Sequence, residues 1–544
     1  MTGVFVGVDV GTGGVRVGAF DCQGRMRGQG QAAIRSWRPR PDFVEQSSED
    51  IWRATARAMG QCLAAGRLKA RDVRGIAFDA TCSLVALGAN GRPITVSPTG
   101  RPSRNVILWM DHRAAQEAET INATRHKVLR YVGGRISPEM ETPKLLWLKK
   151  NLKETWRDAA KFMDLADFMV FKACGNDVRS VCTTVCKWTY LGHDGPSGRY
   201  DRSFFRRIGL ADLFDSEKVP LVSRPIGGLA GELTVASAKH LGLAAGTPVG
   251  VGIIDAHAGG IGLLGPVLGG AEGQGEPFDR AIALIGGTSS CHMAVSGSPR
   301  FIPGVWGPYH GAMIPGMWLN EGGQSATGSL LDYTIRDNAA YPQLVKAARA
   351  EGLDVYAWLN RELSKLKAER GPGVLGNLHM LPDHHGNRSP RADPSARGMV
   401  SGLTLNTTAR ETALWYGATL QAIAYGTRHI VEAMNAKGYR VSQIYMCGGH
   451  LKNEVFIQEH ADVTGCDMVI PQEPEAVLLG AAILAATAAG EHADVPAAMR
   501  AMSRAGRVYR PDPATEKFHQ EKYAVYQEMF RFQNRIHKRM AGVS

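Results

Sequence analysis

The feature that most restricts the fold is a short pattern that occurs twice. Residues Gly3–Val10 are almost wholly β-forming; Gly11-Thr12-Gly13-Gly14 follows, and a second β-rich run, Val15–Phe20, comes at once. Two such runs about a glycine turn read as a β-hairpin, not as a strand feeding a helix. The unit returns as Ala281–Ile285, then Gly286-Gly287-Thr288-Ser289-Ser290, then a run through Val295. Repetition of one supersecondary unit predicts an internal duplication: two α/β domains, each opening with a hairpin, facing each other across a cleft.

Chain length agrees, because 544 residues are too many for one ordinary core and suggest two domains, each of about 200–260 residues. The net charge of +12 is scattered, with no run of like charge and no basic stripe interleaved with aromatics. A solvated basic surface is expected, not a nucleic-acid partner. The nine cysteines lie far apart, Cys182 and Cys186 being the closest two, and none makes a Cys-x-x-Cys pair. That spacing predicts neither a disulfide framework nor a metal site, and it fits a reducing cytoplasm. No secretory signal is expected at the N-terminus. The longest apolar run, Ala476–Gly490, is mostly Ala and Gly and reads as a buried helix, not a membrane span.

Further elements follow from pattern. Ser47-Ser48-Glu49-Asp50 is a capping signal for a helix with Trp52, Ala56, Met59 and Leu63 on one face. Gly75–Phe78 reads as a strand ending in Asp79-Ala80-Thr81-Cys82-Ser83, and Pro248–Ile254 as a strand ending on Asp255. Gly265–Pro277 reads as a mobile loop, and residues 371–398 as a long ordered loop or lid. A helix from Glu411 carries Leu420, Ala424, Thr427, Val431 and Met434 on one stripe and stops near Gly438. Ile444–Cys447 is a strand entering Gly448-Gly449, and the chain beyond Gly490 reads as helical packing.

Phosphoryl transfer to a hydroxyl needs backbone N–H groups close to a triphosphate, and glycine turns leave room for that approach. The turns Gly11–Gly14 and Gly286–Ser290 supply two of them. Asp9 beside the first turn is placed to hold Mg²⁺, directly or through water. The accepting hydroxyl needs a carboxylate to take its proton, and Asp255, at the end of a buried strand, is the candidate base. Each piece alone has a plainer reading as a turn or a helix cap; the ordered combination carries the argument.

That combination resembles the FGGY family of carbohydrate kinases over about residues 3–490. The resemblance is carried by Val8–Thr12, Trp109–Arg113, Thr142–Trp147, Asp255–Ala258, Gly286–Ser289, Glu321–Ser325, Arg388–Pro390, and the late stretch Gly438-Tyr439 through Cys447-Gly448-Gly449, Asn453, Gln458, Ala461-Asp462 and Gly465. It implies an α/β chain of two ribonuclease-H-like domains, of the actin, Hsp70 and sugar kinase ATPase type, closing over ATP and a sugar. On this pattern residues 1–256 form an N-terminal sugar-binding domain, 257–500 a C-terminal nucleotide-binding domain, and 501–544 a helical tail. Asp255 matches the catalytic base and Asp9 the residue near Mg²⁺. Gly11, Thr12 and Gly13 match one phosphate turn, and Gly287 and Thr288 the other. Gln324 matches a position that approaches the nucleotide, and Gly448, Gly449 and Asn453 match the adenosine pocket.

Thr81-Cys82-Ser83 resembles the D-ribulokinase subgroup, and Lys187 and Glu321 match sugar-contacting positions of ribulokinases generally. The expected reaction is therefore ATP-dependent conversion of D-ribulose to D-ribulose 5-phosphate in the cytoplasm, with no nucleic-acid or membrane partner. Similar proteins are commonly homodimers. Kinases of L-ribulose, ribitol, xylulose or another polyol are the alternatives within the class; a non-kinase actin-like ATPase or a sugar sensor is the alternative outside it.

Overall fold

A computed structural model describes residues 3–269, 277–405 and 408–541. The expected hairpin opens the chain, with Val4–Val10 antiparallel to Gly14–Phe20 and Asp9 opposite Arg16. Met26–Ala33 continues it on one side, while Val73–Ala80 lies parallel to Val4–Val10 on the other, bringing Asp9 level with Asp79. Pro248–Gly250 and Leu229–Glu232 complete that flank. The second hairpin, Ala281–Gly286 with Ser290–Ser296, seeds a second seven-stranded sheet of the same plan. There Trp318–Gln324 extends the hairpin, and Gln443–Gly448 lies parallel to Ala281–Gly286, followed by Asp467–Pro471. The duplication expected from one repeated motif thus extends to two whole sheets, each with its hairpin beside a parallel strand.

Ser47 caps the helix Ser48–Gly66, its side chain accepting from the Asp50 amide. Trp52 and Met59 are buried there with Ile51, Ala54, Ala58 and Cys62, whereas Ala56 and Leu63 lie at the edge of the stripe. The long helix Ala409–Asn435 buries all five residues of its expected stripe. Ala476–Ala488 is the buried helix its composition predicts. Although it follows the second sheet in sequence, it packs on the first: a Cβ on Gly7 would lie 2.1 Å from the Leu478 carbonyl oxygen, so only glycine admits this close approach. Among the described residues no helix is long and apolar enough to cross a membrane.

Four details differ from the sequence reading. Pro248–Ile254 is two short strands, Pro248–Gly250 and Ile253–Ile254, and Asp255 begins a helix, Asp255–Leu264. Of the expected loop Gly265–Pro277, Gly265–Gly269 is a 3-10 turn, and 270–276 lies outside the described residues. The loop 371–398 contains a short strand, His379–Leu381. The tail expected to be helical first adds an edge strand, Ala505–Tyr509, to the second sheet before its helix Glu516–Ala541; strand pairing, not local propensity, decides that segment.

Candidate active site

The site forms where the strands of the first sheet end. Ile253 and Ile254 pair with Asp79 and Ala80, so the chain delivers Asp255 beside the ends of the strands carrying Asp9 and Asp79. Asp255 Oδ1 accepts from the Ala256 amide at 2.7 Å. Burial first, and then the nearby Asp9 charge, push the Asp255 carboxyl up to about 6. That value keeps it mostly ionised near neutrality and close in basicity to what a proton acceptor needs.

Asp9 is buried and paired with Arg16, whose Nε lies 2.8 Å from Oδ2; Arg16 Nη1 also reaches Glu475 at 2.7 Å. Arg16 thus ties the first turn to the late-chain segment before the crossing helix. Asp79 is fully buried and lies level with Asp9 across the parallel pair. Burial, then Asp9 and Asp255, raise its carboxyl well above the ordinary range.

Both glycine turns are open. The Gly11 amide donates to the Gly14 carbonyl at 3.0 Å and the Gly287 amide to the Ser289 carbonyl at 2.8 Å. A Cβ on Gly13 would meet nothing within 4 Å, and one on Gly287 only the Ser289 oxygen at 3.8 Å. Thr12, Gly13, Gly287 and Thr288 are exposed. Thr12 Oγ1 accepts from Trp109 Nε1 at 3.0 Å. Gly448, level with Gly286 in the parallel pair, has φ +96°, and a Cβ there would lie 2.0 Å from the Gly286 oxygen. Gly449 next to it is exposed and open. Three glycine-lined surfaces therefore leave backbone accessible, the geometry a polyphosphate and its nucleoside require.

Lys187 and Glu321 are both buried. Lys187 ends the helix Val181–Lys187 beneath the first sheet, and Glu321 lies on a strand of the second, yet the two sense each other. Burial works against the Lys187 ammonium, but the fields of Cys82 and Glu321 hold its pKa well above the ordinary lysine value. Lys187 Nζ sits 4.8 Å over the Trp306 ring. Glu321 Oε2 is buried with no partner, an acceptor left for a ligand. Burial pushes the Cys82 thiol up to about 12.

Other expected site residues are committed elsewhere. Ser83 is fully buried; its hydroxyl accepts from the Trp109 amide at 3.1 Å and meets Thr81 Oγ1 at 3.1 Å. These two hydroxyls therefore brace the turn, and Cys82 is the residue of the three turned toward Lys187. Gln324 donates to the Ile423 carbonyl at 3.0 Å and to Thr427 Oγ1 at 3.1 Å, which seats it against the long helix. Asn453 caps the helix Glu454–Thr464, accepting from the Phe456 amide at 3.1 Å and donating to Tyr416 Oη at 2.5 Å.

The site also holds residues to which the sequence reading gave no role. Arg388, from the expected lid, inserts its guanidinium 5.9 Å from the Trp109 ring and 5.6 Å from the Trp306 ring. It reaches Glu139 at 3.4 Å, and His112 lies 3.6 Å from the same carboxylate. Burial opposes the Glu139 charge, but Arg388 and His112 outweigh it and hold the carboxyl down at about 2. Trp109, His112 and Arg388 belong to segments that carry the family resemblance, and that was the available signal. Asp79 had none beyond its place at a strand end.

Comparison with known proteins agrees with this geometry. The family model described as the FGGY family of carbohydrate kinases, N-terminal domain, matches residues 4–262, and the corresponding C-terminal domain model matches residues 282–489. An FGGY carbohydrate kinase domain-containing protein of Xenopus laevis is 48% identical over 530 residues, covering 96% of this chain and 95% of that protein. A D-ribulokinase of Saccharomyces cerevisiae is 38% identical over 511 residues, covering 89% of this chain and 72% of its own length. A xylulose kinase from Rhodospirillum rubrum has the same fold, with a TM-score of 0.77 at 19% identity, covering 98% of this chain and 99% of that one. With both domain models spanning the two hairpin-bearing sheets, the chain belongs to the FGGY family of carbohydrate kinases.

Proposed function

We propose that the protein transfers the γ-phosphoryl group of ATP to a hydroxyl of D-ribulose, giving D-ribulose 5-phosphate and ADP. The observation that carries this reading is the meeting of Lys187 from one domain and Glu321 from the other beside Asp255, each sensed in the Asp255 field. A donor and an acceptor fixed at that point orient a polyol so that one hydroxyl faces the base. Asp255 takes the proton of that hydroxyl, the oxygen bonds to the γ-phosphorus, and the bond to the β,γ-bridging oxygen breaks to release ADP. Cys82 and Trp306 close the pocket with weakly polar and aromatic surface, and exclusion of water favours the sugar as acceptor.

The donor set at the first turn is all oxygen, which suits a hard divalent cation. Arg16 occupies Asp9 Oδ2, and Asp9 would hold Mg²⁺, directly or through water. When bound, that ion neutralises phosphate charge. Open backbone at Gly11–Gly13 and at Gly287 and Thr288 receives the phosphates, and the Gly448-Gly449 turn receives the adenosine. The 38% identity to a D-ribulokinase supports this choice of ketose.

The test is an ADP-release assay with ATP and Mg²⁺ across D-ribulose, L-ribulose, D-xylulose and ribitol. The highest kcat/KM is expected with D-ribulose. Background release with D-ribulose alongside turnover of another pentulose or polyol overturns the substrate. Background release with every sugar, in protein that still binds ATP, overturns the kinase reading in favour of a sensor or an ATPase of another kind.

A further inference from the structure

Beneath the sugar pocket, Cys182, Cys186 and His257 converge. All three are fully buried, and one ligand atom from each falls within 4.8 Å of the other two, the one such grouping found among the described residues. The spacing that looked inert in the sequence is a helical i, i+4 pair on Val181–Lys187, which places both sulfurs on one face. The missing partner comes from a remote helix, Asp255–Leu264. Cys186 Sγ and His257 Nε2 lie 3.5 Å apart. With zinc bonds of about 2.3 Å to sulfur and about 2.0–2.1 Å to nitrogen, a tetrahedral site needs a sulfur–nitrogen separation of about 3.5 Å.

From this geometry we propose that Cys182, Cys186 and His257 form a binding site for a thiophilic divalent ion, Zn²⁺ being the type. The chemistry of the donors agrees. His257 presents Nε2 to the Cys186 sulfur, the nitrogen that would bind the ion. Binding displaces two thiol protons to solvent, and two thiolates with one divalent cation then make a neutral unit, the form a buried site tolerates. Water completes the coordination.

The site's position defines its consequence. Cys186 precedes Lys187, and His257 follows Asp255 by two residues. An ion held by all three donors pins the helix bearing the sugar-contacting lysine to the helix bearing the base. It fixes the distance between them without touching either.

The full chain is produced in zinc-supplemented medium, dialysed against EDTA, and analysed by inductively coupled plasma mass spectrometry. About one zinc ion per chain is expected, falling to background in C182A/C186A and in H257N. Protein produced with Co²⁺ is expected to show a thiolate-to-cobalt charge-transfer band that the double variant lacks. Zinc at background in the wild type, together with no cobalt–thiolate band, shows a hydrogen-bonded thiol–imidazole cluster only and overturns the proposal. Full zinc content in folded C182A/C186A, with folding checked by ATP binding, places the metal elsewhere and also overturns it. Should the variants not fold, the wild-type cobalt spectrum decides alone.

Discussion

Asp9 and Asp79 stand level with each other on adjacent parallel strands, and one of them, Asp79, is fully buried. Burial and the neighbouring charges of Asp9 and Asp255 raise the Asp79 pKa, so the native protein keeps a proton there that the unfolded chain loses in the ordinary carboxylate range. The native state then binds more protons than the unfolded state, and stability falls as pH rises from that range toward the native pKa. Asp79→Asn removes the slope while keeping shape and a donor. Its melting temperature should exceed that of the wild type at about pH 8 and converge with it toward the ordinary carboxylate pKa. Scans in metal-free, nucleotide-free buffer measure this; a gap that does not change with pH refutes it.

Asp255 combines two roles in one elevated pKa. As a base it must be ionised, so kcat/KM should rise with pH along an acid limb with its midpoint at about 6. Asp255→Asn should keep ATP affinity and lose roughly 10²–10⁴-fold in sugar phosphorylation. Because the native carboxyl resists ionisation, the amide should also melt higher than the wild type above that midpoint. Loss of activity without any gain in stability would show that the carboxylate is better solvated than its surroundings imply.

Arg388 and Glu139 join the lid of the second domain to the first. Glu139 sits at about 2, below its unfolded value of 4.5, so the stability it contributes is present above 4.5 and is lost as pH falls through 2. Arg388→Met and Glu139→Gln should each lower kcat/KM, mainly through KM for the ketose. The double variant should be less impaired than the sum of the singles, with a coupling of about 0.5–3 kcal/mol. Simple additivity would mean that the two side chains act on the pocket independently.

How much of this was legible in the sequence differs between backbone and side chains. The hairpins, the strand into Gly448-Gly449 and the capped helix at Ser47 follow from local rules, because turn chemistry and alternation act over a few residues. Asp255 and the open turns were legible for the same reason, since a strand end and a glycine turn are local events. The side chains of Gln324 and Asn453 turn to Thr427 and Tyr416, partners about a hundred and about forty residues away in sequence that no local pattern announces. Arg388 and Glu139 meet across 249 positions, and the Cys186–His257 contact across 71. Such contacts come from tertiary closure and carry no periodic signal. The strand Ala505–Tyr509 was missed for a related reason: it is mostly exposed, so the alternation that betrays a half-buried strand is absent.

Gly448 and Gly449 offer a way to separate folding from binding at the nucleotide turn. Gly448 adopts φ +96°, and a Cβ would overlap the Gly286 carbonyl oxygen at 2.0 Å. With ψ −167° this is a region of backbone space essentially reserved for glycine, costing an L-residue roughly 1–3 kcal/mol, and here the backbone of the second hairpin must also move. Gly448→Ala should therefore destabilise the protein by more than about 2 kcal/mol in urea unfolding and, with the hairpin opened by Gly286 receiving phosphate as proposed, weaken ADP binding. A methyl group on the Gly449 Cα would meet no atom within 4 Å beyond its chain neighbours, so Gly449→Ala should leave stability within about 0.5 kcal/mol. If adenosine lies against that bare backbone, ADP affinity still drops in Gly449→Ala, because the new methyl occupies the space the ligand needs. Unchanged stability with unchanged ADP affinity would move the nucleoside away from this turn, whereas lost affinity at unchanged stability assigns the turn to the ligand and not to the fold.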